Sequence, residues 1–115
     1  MLREDKDVER EIVHQMKGGL GDVEIKRFLK PEEFHGKGRL FGKITLKPGS
    51  SIGLHQHMGD CETFYILSGN GTYNDNGTMV SIKPGQVLYV DNGESHSIEN
   101  TGGKNLELIA MILFV

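Results

Sequence analysis

The sequence predicts an all-β fold, a barrel or sandwich of short strands, and three observations predict it. Sixteen glycines punctuate a chain of 115 residues, far more turn positions than a helical protein uses. Between them run short segments with apolar residues at every second position. Turn signals recur at short intervals: Pro48-Gly49, Ser68-Gly69, Asn74-Asp75-Asn76-Gly77, Pro84-Gly85 and Thr101-Gly102-Gly103. The length suits one domain with one modest core.

Residues 1–21 read as an extension that is partly helical. Val8, Ile12, Val13 and Met16 fall at helical spacing, and Gly18-Gly19 would end the helix. The barrel then occupies 22–115. A first strand, Asp22–Leu29, stops at Pro31. From Arg39 the period is two, with Leu40, Gly42, Ile44 and Leu46 on one face and Lys43, Thr45 and Lys47 on the other. Glu62–Leu67 forms another strand. The NDNG stretch at 74–77 is a hairpin tip, because Asn and Gly accept positive φ. Strands follow at about 78–83, 86–91 and 96–100. The last segment, LELIAMILFV, has Glu107 as its one polar residue, so it should be covered on both faces. This gives about eight strands.

Composition excludes several classes of function. A net charge of −3 and the absence of a basic stripe argue against nucleic acid as a partner. No apolar run is long enough to cross a membrane, and Met1–Arg10 is too charged for a signal peptide. The single Cys61 forms no internal disulfide and fits a reducing compartment. A cytoplasmic protein is the expectation.

Residues 53–62, GLHQHMGDCE, carry the chemistry. Side chains on a strand alternate, so His55 and His57 share a face. Glu62 shares its face with Phe64 and Ile66 and should point inward. A lone buried carboxylate costs several kcal/mol, roughly, unless it is paired or bound to a cation. His96 shares a face with Ile98 and Asn100 and should point inward too. A His-x-His pair by itself is most often surface polarity at a strand end. Three of five histidines and a glutamate on core-facing positions point instead to a divalent transition metal: manganese, iron, nickel, cobalt or zinc. His14 and His35 lack such context.

These residues bring a resemblance into view. Gly49, His55, His57, Glu62 and Gly69 match the first cupin motif, G-x5-HxH-x3,4-E-x6-G, without departure. Gly85, Gly93, His96 and Asn100 fall in register with the second, G-x5-PxG-x2-H-x3-N, and Asp91 replaces its proline. The chain thus resembles a small single-domain cupin. The resemblance implies a double-stranded β-helix, or jelly-roll barrel, with the metal held by His55, His57, Glu62 and His96. It leaves the reaction open, since cupins include dioxygenases, decarboxylases, isomerases, lyases, storage proteins and sugar-sensing domains.

A metal centre with open positions suits a small-molecule ligand that chelates through oxygen: a hydroxy-, oxo- or dicarboxylate compound. It suits a dioxygenase, isomerase or lyase, or a non-catalytic binding and sensing module. In oxalate decarboxylases an arginine stands three residues before the first histidine. Here that residue is Ile52, which argues against that reaction. Arg39 could reach the pocket mouth, although an exposed strand-start arginine is the commoner fate. Ile44, Leu46, Phe64, Ile66, Leu88 and Ile98 are candidates for the pocket wall. Tyr65, Tyr73 and Tyr89 are expected on outward faces, and Cys61 is expected to point away from Glu62 and pack. The apolar tail 106–115, Phe41 and the outward row Cys61, Thr63, Tyr65 and Leu67 predict a homodimer.

Overall fold

Glycine and proline place the turns, and the segments between them pair into two antiparallel sheets. The computed structural model describes all 115 residues. Ten strands form: β1 (Glu9–His14), β2 (Asp22–Arg27), β3 (Gly38–Leu46), β4 (Ser51–Gln56), β5 (Asp60–Ser68), β6 (Gly71–Asp75), β7 (Thr78–Ile82), β8 (Val87–Val90), β9 (Ser95–Glu99) and β10 (Leu106–Phe114). One sheet has the order β1-β2-β3-β10-β5-β8 and the other β4-β9-β6-β7. The core lies between them, built from the inward rows of β2, β3, β5 and β10 with Ile52, Tyr73, Ile82 and Ile98 from the facing sheet. This is the expected all-β jelly-roll architecture.

The period-two runs behave as read. On β3, Leu40, Ile44 and Leu46 are buried, while Lys43 and Thr45 are partly exposed. The NDNG stretch forms the β6–β7 hairpin, with Asp75 opposite Thr78 and both Asn76 (φ 48°) and Gly77 (φ 103°) in the positive-φ region that a two-residue turn requires. The tail becomes β10, a central strand paired with β3 on one side and β5 on the other. Its inward row, Leu106, Leu108, Ala110 and Ile112, is buried. Its outer row is only half covered within one chain.

The N-terminal helix does not form. Residues 9–14 instead make β1, paired along its whole length with β2, and single 3-10 turns at Asp5–Asp7 and Met16–Gly18 flank it. The apolar stripe was too thin to decide the matter: Ile12 is exposed, while Val13 and Met16 pack against the core. Pairing with the open edge of β2 satisfies a row of backbone donors and acceptors that a solvated helix would leave in place. No helix is long and apolar enough to cross a membrane.

Candidate metal centre

The site is assembled by β4, β5 and β9. His55 on β4 lies directly opposite His96 on β9, and Glu62 on β5 faces them from the other sheet. His57 follows the end of β4, its backbone N–H donating to the Glu94 carbonyl at 2.9 Å. His57, Glu62 and His96 are buried, and His55 is partly so. The structure therefore gathers all four residues expected from the sequence. His14 and His35 lie elsewhere: the His14 ring pairs with Asp22 on the exposed β1–β2 ladder, and His35 sits in a turn.

Three imidazole Nε2 atoms converge, His96 being 3.1 Å from His57 and 3.2 Å from His55. Glu62 Oε1 lies 3.3 Å from His57 Nε2 and 3.2 Å from His96 Nε2. Two atoms bound to one ion at about 2.1 Å and about 90–110° apart are separated by roughly 3.0–3.4 Å, so these spacings fit a shared cation. The outer nitrogens point the same way. His55 Nδ1 donates to the Gly53 carbonyl at 2.7 Å, and His57 Nδ1 to the Asp60 carboxylate at 2.7 Å. Each neutral ring then turns its Nε2 lone pair toward the common centre, where a cation would relieve their mutual repulsion. The group His55, His57, Glu62 and His96 is thus a potential metal-binding set.

Several functional neighbours were not legible in the sequence. Asp60 is buried and joins two elements, accepting from His57 Nδ1 through one oxygen and from Arg39 Nε at 2.9 Å through the other. Tyr73, expected to point outward, is buried, with its hydroxyl 2.8 Å from His96 Nδ1. The phase of β6 is set by its pairing with β9, where Tyr73 faces Ile98, and that non-local register is not written in β6 itself. Tyr65 and Tyr89 do lie on the outer face. Cys61 also points away from Glu62, opposite Leu113.

A narrow cavity of about 60 Å³ reaches the cluster. At roughly 10–15 Å³ for each enclosed water, it has room for a handful of non-hydrogen atoms. Ile44 is in its wall, as are Ile52, Met16, Lys17, Arg27 and Arg39. Phe64 stacks on the His96 ring at 5.3 Å between centroids and so supports a ligand-set residue. Leu46, Ile66 and Ile98 are fully buried in the core, and Leu88 packs on its edge. A register shift between β4 and β9 explains Ile52. Strict alternation would turn Ile52 and His55 to opposite faces, but the irregularity at Gly53-Leu54 lets both line the cavity. Segment 17–19 packs closely on Gly53, since a Cβ there would lie 2.1 Å from the Lys17 carbonyl oxygen.

Charges in the site are coupled. The hydrogen bond that His57 donates to the Glu62 carboxylate raises the His57 pKa above the ordinary histidine range, against the effect of burial. Burial pushes the His55 pKa down. Burial pushes the Glu62 carboxyl up, but hydrogen bonds from His57 and His96 outweigh it and hold the group below the ordinary carboxylate range. Without a cation, and below the raised His57 pKa, protonated His57 pairs with ionised Glu62. A metal must displace that proton, so metal stabilisation is present above the raised His57 pKa and is lost as pH falls through it. The gap in melting temperature between metal-loaded and chelator-treated protein should be clear near pH 8 and shrink toward pH 5. Equal gaps at both pH values would contradict proton–metal competition at this cluster.

Comparison with known proteins agrees with this geometry. A family model described as "Cupin domain" matches residues 42–112. An oxalate-binding protein of Thermotoga maritima is 47% identical over 115 residues, covering 100% of this chain and 95% of its own. A solved structure from Thermotoga maritima, described as a predicted oxalate decarboxylase, superposes with a TM-score of 0.94 at 47% identity over the whole of both chains. A polyketide cyclase from Streptomyces resistomycificus shares the fold, with a TM-score of 0.78 at 20% identity, covering 99% of this chain and 79% of its own. With both histidine motifs in register, the strands in jelly-roll order and the family model spanning most of the barrel, the chain belongs to the cupin family.

Proposed function

We propose that this cupin binds a small dicarboxylate of the oxalate class at a divalent metal held by His55, His57, Glu62 and His96. The observation that carries the reading is the convergence of four ligand atoms at the end of a cavity fit for a handful of atoms. Such a space favours a small acid over a sugar or an extended acid, and a metal there would supply Lewis-acid attraction for adjacent oxygens. The likeness to an oxalate-binding protein of Thermotoga maritima supports the same ligand class. Binding without turnover is the reading preferred over decarboxylation. Ile52 is buried in the cavity wall where decarboxylases carry an arginine, and Glu62 is the one carboxylate among the lining residues. Titration calorimetry of manganese-loaded protein should show saturable oxalate binding with no release of formate or carbon dioxide. Turnover would favour the enzyme reading, and the absence of binding would overturn the proposal.

We further propose that two copies pair through the outer face of the larger sheet. There Tyr65, Leu67, Val87 and Tyr89 are exposed beside the half-covered outer row of β10, and Leu113 extends the patch. Cross-strand neighbours make it continuous, with Tyr65 between Ile109 and Val87. An apolar surface of this kind is unusual on a monomer. Light scattering at micromolar concentration should give twice the chain mass of 12.8 kDa, and a single-chain mass would refute the pairing. The lone half-buried thiol, Cys61, supports a reducing, cytoplasmic setting.

A further inference from the structure

Arg39 begins β3 at the rim of the cavity, and its side chain is about half exposed. One edge of its guanidinium is committed, Nε donating to Asp60 Oδ2 at 2.9 Å. Asp60 is buried, and its other oxygen accepts from the metal-ligand candidate His57 at 2.7 Å. The Nη donors of Arg39 make no hydrogen bond within the chain, and the residue lines the same cavity as His55, His57 and Glu62. A guanidinium fixed at one edge, with its other donors open to a cavity, is pre-organised for a planar anion. Arg27 and Lys17 add positive charge to the same wall, but neither is tied to a buried group: Arg27 Nη2 reaches only exposed Glu11, at 3.4 Å.

We propose that Arg39 clamps the end of the dicarboxylate that projects from the metal, and that Asp60 is the positioning residue that holds this clamp and His57 in one rigid unit. The inference rests on the function proposed above and adds to it a determinant of selectivity. An anion with two carboxylates satisfies the metal and the guanidinium together. A monocarboxylate satisfies the metal alone and leaves the arginine edge unused.

The test is calorimetric titration of the manganese-loaded full chain with oxalate and with acetate. Wild type should prefer oxalate. Arg39→Gln should lose about tenfold or more in oxalate affinity, the equivalent of one charge-assisted hydrogen bond, while manganese and acetate affinities stay within about threefold. Arg39→Lys, which keeps the charge but not the fork, should fall between. Asp60→Asn should weaken both manganese and oxalate, manganese by roughly 10–100-fold. Wild type that takes manganese but not oxalate overturns the proposed function itself. Wild type that binds oxalate, with Arg39→Gln indistinguishable from it, overturns only the clamp. Loss of manganese by Arg39→Gln would make the arginine a support for Asp60 and likewise overturn the clamp. Asp60→Asn with wild-type manganese affinity overturns the shared unit.

Discussion

Replacing His57 with alanine is expected to abolish tight metal binding, with affinity falling more than about 100-fold. Loss of a residue that merely supports a ligand costs about 10–100-fold, and removal of a ligand should exceed that. His57 is the most constrained member of the set. It is buried, its Nδ1 is committed to Asp60, and its Nε2 lies 3.1 Å from His96 and 3.3 Å from Glu62. Its loss leaves Glu62 short of a buried partner as well. His14→Ala and His35→Ala should keep full metal content, because both residues lie outside the cluster. Elemental analysis of the three variants, purified without chelator, checks this. Equal occupancy in all three would contradict the ligand assignment.

Asn100→Ala is expected to destabilise the fold by about 2–4 kcal/mol without touching the metal ligands. The Asn100 side chain is buried, donating to the carbonyls of Leu46 and Lys104 at 2.8 Å each and accepting from the Gly102 N–H at 2.9 Å. It ties the end of β3, the end of β9 and the turn before β10 together. Alanine leaves three backbone groups without that partner, at least one of them buried, and each such loss costs roughly 1–3 kcal/mol. For a chain of this size that lowers the melting temperature by roughly 10 °C. A shift below about 2 °C would mean that water or a local rearrangement replaces the amide.

The barrel strands and the clustering of His55, His57, Glu62 and His96 were legible because most of their signals are local. Period two marks β3, NDNG marks the β6–β7 turn, and the spacing of His55, His57 and Glu62 is written in ten consecutive residues. What was not legible depends on register between distant strands. Tyr73 reaches His96 only through the β6–β9 pairing, and Ile52 enters the cavity only through the irregularity between β4 and β9. Asp60 gave no signal of its own because its partner Arg39 stands 21 residues earlier, on β3, and meets it only in the folded chain. β1 was misread because four sparse apolar residues fit a helix as well as a strand, and the open edge of β2 decided between them.

The most direct test of the central claim is anomalous X-ray diffraction from crystals of the manganese-loaded protein, recorded with and without oxalate. One strong anomalous peak per chain is expected, within bonding distance of His55 Nε2, His57 Nε2, His96 Nε2 and Glu62 Oε1. With oxalate present, planar density should bridge that peak toward Arg39. A peak elsewhere, or no peak among these four atoms in protein shown to contain manganese, would contradict it.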